Sequence, residues 1–324
     1  MPTFRPTLLM TRRWPEASEA RLRDLCDVTV NKSDLPLGLE EWRDAVRRFD
    51  IICPTVSDRI DAGILGTPGL RVRLLANYGV GFDHIDLSAA GRAGIAVTNT
   101  PGVLTEATAD LALTLILMTS RRGGEGEREV RSGNWQGWRP THMMGQDLAG
   151  KCLGLVGFGR IAQATAARAR AFGMTIAYTG RRRAAAADEE ALDARWHASL
   201  DELARDCDIL SLHCPGGADT RHLVDARLLG LMKPTAILIN TARGSVVDET
   251  ALADALAERR IWAAGLDVFE AEPEIAPALL GLDNAVLLPH LGSATIETRT
   301  RMGLRAAANV EAFVAGRELP DRVA

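Results

Sequence analysis

From Thr7 to Leu288 the chain alternates short apolar runs with longer segments of helical period. That alternation restricts it to an α/β protein built on parallel sheets. In the first third, Thr7–Met10, Asp27–Val30, Asp50–Cys53, Val72–Asn77 and Ile95–Thr98 read as strands, with helices over Glu16–Leu25 and Leu39–Phe49 between them. Asn99-Thr-Pro-Gly102 interrupts the pattern. A helix follows over about Leu104–Arg121, apolar around most of its circumference and therefore buried. A second series begins at Cys152, with strands expected over Cys152–Gly157, Thr175–Thr179, Ile209–His213, Ala236–Asn240, Ala263–Val268 and Ala285–Leu288. Several of these are apolar almost throughout, which suits strands covered on both faces. A last helix, about Ser293–Ala315, is expected to stop at Gly316 in a left-handed cap.

The 324 residues suffice for two domains. A net charge of -4 offers no basic footprint for nucleic acid or an anionic membrane. The longest apolar stretch, Leu111–Met118, falls short of the roughly 20 residues a membrane span needs. Met1-Pro-Thr-Phe-Arg5 leads into an apolar run of only Leu8-Leu9-Met10, so no secretory leader is expected and the protein reads as cytoplasmic. The five cysteines form no CxxC pair, so reduced thiols are expected rather than disulfides or a metal site. Residues 122–150 carry Trp135 and Trp138 without a clear period, and a long irregular stretch of this kind reads as an arm used in dimerisation.

Gly157-Phe-Gly159-Arg-Ile-Ala162 lies at a strand-to-helix turn. Gly157 permits the tight turn, and Gly159 lets backbone approach a pyrophosphate whose charge sits at the helix N-terminus. A strand before it and a helical pattern over Ile161–Phe172 supply the context a dinucleotide loop requires. About 20 residues on, an acidic residue normally holds the ribose 2′-hydroxyl. This chain has Tyr178-Thr-Gly-Arg181-Arg182-Arg183 there instead. Arginines in place of a carboxylate suit a 2′-phosphate, so NADP(H) is expected over NAD(H).

Three polar residues follow expected strands, at the carboxyl ends where ligands bind in open α/β sheets: Arg243, Glu272 and His290. A histidine suits proton transfer near neutrality, a neighbouring carboxylate stabilises its cation, and a guanidinium can hold a substrate carboxylate with two donors. Each alone is ordinary, and by spacing Glu270 and Glu274 compete with Glu272.

Taken together, these segments resemble the D-isomer-specific 2-hydroxyacid dehydrogenase family over essentially the whole chain. The resemblance rests on Asn77-Tyr-Gly-Val80-Gly81-Phe-Asp83-His84-Ile-Asp86, on Gly154–Ala162, on Leu212-His-Cys-Pro215 with Thr220-Arg-His-Leu, and on Arg243, Glu272 and His290 in that order. It implies that Arg243 binds and polarises substrate, that His290 is the acid/base, and that Glu272, directly before a proline, supports His290. It further implies that the amides of Val80 and Gly81 bind the substrate carboxylate; His84 in the same loop reads as a structural or surface histidine rather than a catalytic one. The implied cofactor contacts are Thr105, Gly157, Gly159, Arg160, Ile161, Arg181, Arg182, Cys214, Pro215, Thr220, Thr241, Ala242, Asp267, His290 and Ser293, with no metal.

The implied fold is two doubly wound parallel-sheet domains. A Rossmann nucleotide-binding domain spans residues 100–289, including the arm at about 122–150. A smaller flavodoxin-like substrate domain joins residues 1–99 to 290–324. Tyr178-Thr-Gly-Arg, Trp138-Arg-Pro and His290-Leu-Gly-Ser-Ala-Thr are most similar to the family's glyoxylate/hydroxypyruvate reductase branch. That branch implies a homodimer reducing a small 2-oxoacid to a D-2-hydroxyacid. A phosphoglycerate dehydrogenase is the alternative enzyme, and a nucleotide-sensing corepressor the alternative from another class.

Overall fold

The computed structural model describes residues 5–324; Met1–Phe4, which the leader argument included, lie outside the described residues. The chain divides into two compact units. One runs up to Leu104 and resumes at Ala294–Ala324; the other is Thr105–Ser293.

The first unit holds β1 (Thr7–Met10), β2 (Asp27–Val30), β3 (Ile51–Cys53), β4 (Leu74–Ala76) and β5 (Ala96–Thr98) in the order β2-β1-β3-β4-β5. All neighbours are parallel. This is the flavodoxin-like order. The central strands β3 and β4 are buried along their whole length, as a sheet covered on both faces requires. Helices Glu16–Leu25 and Ile296–Val314 pack together in this unit, so the chain's last segment returns to the fold of its first. The last helix stops as its sequence predicts, with Gly316 at φ +64 closing the turn.

The second unit holds β6 (Cys152–Val156), β7 (Thr175–Thr179), β8 (Ala194–Trp196), β9 (Ile209–Leu212), β10 (Ile237–Asn240), β11 (Ala263–Leu266) and β12 (Ala285–Leu287). Their order is β12-β11-β10-β9-β6-β7-β8, again all parallel. That is the Rossmann order extended by one strand, with its switch point between β6 and β9. The apolar helix Thr105–Ser120 packs on β10, β11 and β12 and on helix Arg160–Ala171. No helix among the described residues is long and apolar enough to cross a membrane.

Two elements differ from the reading of the sequence. β8 is not among the expected strands: Ala194-Arg-Trp196 lies at the sheet edge, paired only with β7, and an exposed arginine at its centre leaves no apolar run. Within the stretch read as irregular, Gly123–Arg131 is helical. Glycines at 123, 124 and 126 mask its period, while Arg122–Glu125 and Glu127–Arg131 ion pairs support it. Residues 132–150 contain neither helix nor strand.

Candidate active site

The glycine loop lies at the carboxyl end of β6, at the sheet's switch point. Gly157 adopts φ +90, and a Cβ there would lie 2.9 Å from the carbonyl oxygen of His213. Only glycine meets both demands. Gly159 caps helix Arg160–Ala171, and a Cβ there would meet nothing within 4 Å, so there is open space beside the helix N-terminus. The same end of the sheet carries the other expected cofactor contacts. Thr105 opens its helix, and Thr220 donates its hydroxyl to the carbonyl of Pro215 at 2.8 Å, closing the loop that begins at Cys214. Burial pushes the Cys214 thiol up to about 11, so it stays neutral near pH 7. The Thr241 hydroxyl oxygen is buried without a hydrogen-bond partner among the described residues. Open space beside a helix N-terminus and an orphaned buried hydroxyl fit a dinucleotide. Arg181 and Arg182 are exposed and make no side-chain hydrogen bond or ion pair among the described residues, whereas Arg183 is paired to Glu189.

Arg243 follows β10 in a turn that Asn240 holds from within. The Asn240 amide donates to the Arg243 carbonyl at 2.9 Å, and its oxygen accepts from Ala242 N–H at 3.0 Å. Gly244 presses this turn against the next loop, where an added Cβ would lie 1.8 Å from the main-chain carbon of Phe269. That loop delivers Glu272. Its Oε1 accepts from Phe269 N–H at 3.0 Å, and its Oε2 lies 2.8 Å from His290 Nδ1. Burial raises the Glu272 carboxyl, but the His290 hydrogen bond and charge, the Phe269 amide and the Arg243 guanidinium outweigh it, leaving it below its usual range.

Asp267 fixes His290 in turn. Its oxygens accept from the N–H groups of Leu291 at 2.6 Å and Gly292 at 2.8 Å, while its carbonyl accepts from His290 N–H at 2.9 Å. Burial holds the Asp267 carboxyl above its usual range despite those donors. Ser293 directly follows this loop. Glu270, the competitor on spacing, is occupied elsewhere: it lies 2.8 Å from His222 Nε2 and 2.7 Å from Arg221 Nη2. The structure thus joins Glu272, not Glu270, to His290. Asn240, Glu249 and Thr108 escaped the sequence reading. Glu249 accepts from Glu270 N–H at 2.5 Å, and Thr108 donates to the Gly292 carbonyl at 3.0 Å. Their work is with main chain, which leaves no motif; the sole signal is Asn240 closing an apolar strand before a polar loop.

In the first unit, Val80 and Gly81 lie in a loop whose carbonyls at Gly79, Val80 and Gly81 accept from side-chain amides. Asn77 donates to Gly79 and Gly81 at 3.1 and 2.9 Å, and Asn99 donates to Val80 at 2.8 Å. His84 Nε2 lies 3.0 Å from Asn77 Oδ1, bracing that amide. The N–H groups of Val80 and Gly81 have no acceptor among the described residues.

The packing of Gly244 gives a direct test. Gly244→Ala places a methyl inside main chain that no rotamer change can clear, so it should cost at least roughly 1–3 kcal/mol, the usual scale of overpacking. Turnover should fall with it, because the Arg243 turn and the Glu272 loop are pushed apart. A melting temperature and a kcat both unchanged would contradict this packing.

Strand order, glycine turn and the His290–Glu272 pair define a dinucleotide-binding dehydrogenase. The chain belongs to the D-isomer specific 2-hydroxyacid dehydrogenase family, whose NAD binding domain model matches residues 113–292. It is 44% identical over 324 residues to a glyoxylate reductase of Thermococcus onnurineus, covering 99% of this chain and 96% of that one. It is 46% identical over 326 residues to a glyoxylate reductase of Aeropyrum pernix, covering 98% and 96%. The NADPH-dependent glyoxylate/hydroxypyruvate reductase of Sinorhizobium meliloti, solved with NADP and malonate, has a TM-score of 0.85 at 35% identity, covering 99% and 97%.

Proposed function

We propose that this protein reduces glyoxylate to glycolate and hydroxypyruvate to D-glycerate, with NADPH preferred over NADH, and that it acts as a homodimer. The observation that carries this reading is the His290 Nδ1–Glu272 Oε2 pair at 2.8 Å, joined to the Arg243 turn by the contact at Gly244. The glyoxylate reductases of Thermococcus and Aeropyrum support the substrate, and the Sinorhizobium enzyme supports the cofactor.

When bound, the nicotinamide supplies the hydride. Gly157, Gly159, Arg160, Ile161 and Thr105 hold the pyrophosphate, and Cys214, Pro215 and Thr220 flank the adenosine. Arg181 and Arg182 donate to the 2′-phosphate. Thr241, Ala242, Asp267 and Ser293 hold the nicotinamide end. A carboxylate has about four acceptor positions, so Asp267 can serve a carboxamide while it binds the amides of Leu291 and Gly292. The amides of Val80 and Gly81 donate to the substrate carboxylate, and Arg243 binds substrate and stabilises charge on its carbonyl oxygen. With Nδ1 committed to Glu272, His290 gives its proton to that oxygen from Nε2, completing the alcohol. Trp138, 82% exposed, and the exposed Val130, Trp135 and Met144 support residues 122–150 as the dimer contact.

Steady-state assays with glyoxylate, hydroxypyruvate and phosphohydroxypyruvate, each with NADPH and NADH, test the reading. The unphosphorylated acids with NADPH should give the highest kcat/KM. Preference for the phosphorylated acid would overturn the substrate, parity or better with NADH the cofactor, and no oxidation with any 2-oxoacid the enzyme.

A further inference from the structure

The three consecutive arginines after β7 are not equivalent. Arg181 and Arg182 are exposed, but Arg183 is folded back onto Glu189 of helix Ala186–Leu192 through a two-pronged contact, Nε to Oε1 at 2.9 Å and Nη2 to Oε2 at 2.8 Å. A planar guanidinium fork bound this way is held in orientation as well as position. The buried Tyr178 completes the arrangement: its hydroxyl donates to Glu189 Oε1 and accepts from Ala184 N–H at 2.9 Å. Its ring stacks on Phe158 at 4.1 Å, and Phe158 stands between the two glycines of the dinucleotide turn. One side chain therefore ties the glycine turn, the arginine loop and helix Ala186–Leu192 together.

We propose that Tyr178 and Glu189 are positioning residues for cofactor selection. With Arg183 as anchor, they clamp the Gly180–Ala184 loop so that Arg181 and Arg182 are pre-set for a ribose 2′-phosphate. This rests on the NADPH reading above. Pre-setting lowers the ordering cost of binding, so its loss falls on the phosphate-bearing cofactor. The clamp also explains why a carboxylate near the arginine loop does not repel that phosphate: its charge is spent on Arg183.

The test compares KM for NADPH and NADH, and kcat, in the full-length wild type, Glu189→Ala, Arg183→Ala, their double variant, Glu189→Gln, and an Arg181→Ala/Arg182→Ala pair. Glu189→Ala should raise the NADPH KM about tenfold while the NADH KM and kcat stay within about twofold. The double variant should be no worse than Glu189→Ala alone, because Arg183 acts through Glu189. Glu189→Gln, which still accepts from Arg183 and Tyr178, should recover part of the loss. A lower NADPH KM in Glu189→Ala would show that Arg183 is a phosphate ligand held in check, and would overturn the clamp. Equal changes with both cofactors would also overturn it, reducing Glu189 to a structural part. A wild type that favours NADPH through Arg181 and Arg182 yet ignores Glu189→Ala refutes the clamp alone. A wild type without NADPH preference refutes the cofactor reading beneath it.

Discussion

Replacing His290 by glutamine should lower kcat by about 100-fold or more, the scale of general acid–base catalysis, while NADPH should still bind. Reduction of a carbonyl needs a proton as the hydride arrives, and among the residues of the trio the imidazole is the group suited to general acid–base work. Glu272 holds Nδ1 at 2.8 Å, and Asp267 fixes the main chain on either side of the ring. The ring is thus oriented by two carboxylates with separate tasks. Glutamine keeps an amide donor but cannot pass a proton, so binding survives and turnover does not. His290 sits at φ +55, a conformation asparagine tolerates better than glutamine, so His290→Asn should give the same kinetic loss with less strain. Tight NADPH binding, read by fluorescence titration, with kcat near wild type would show that another group handles the proton.

Arg243→Ala should raise KM and lower kcat together. Loss of one preorganised donor to a developing oxyanion costs roughly 100- to 1,000-fold in kcat. The turn itself keeps its anchor, because Asn240 binds the main chain of Ala242 and Arg243, which alanine leaves in place. The Glu272 carboxylate loses a neighbouring cation but keeps His290 and Phe269. Arg243→Lys should recover only part of the activity, since an ammonium keeps the charge and loses the fork. A KM unchanged in Arg243→Ala would remove this residue from the substrate site.

Much of this was legible in the sequence because parallel strands buried on both faces leave apolar runs that cannot be mistaken for surface. The glycine turn was legible for a related reason: a positive φ beside another main chain admits only glycine. What stayed hidden depends on contacts distant in sequence. By spacing Glu270 and Glu272 are equivalent, and the family resemblance alone selects Glu272; the contacts that separate them are those of His222 and Arg221, which hold Glu270 elsewhere. The arginine run is uniform in sequence, and only the ion pair to Glu189 sets Arg183 apart. Asn77 and Asn99 lie in segments the sequence marks, but their hold on the loop of Val80 and Gly81 runs through main-chain carbonyls, which no sequence pattern records. Helix Gly123–Arg131 was masked by its own glycines.

A His290-dependent reduction of a 2-oxoacid to its D-hydroxyacid is tested by the configuration of glycerate formed from hydroxypyruvate and NADPH, resolved by chiral chromatography, in wild type and His290→Gln. The wild type should form D-glycerate and the variant almost none at equal protein. L-glycerate, or D-glycerate formed equally fast by both proteins, would contradict this reaction.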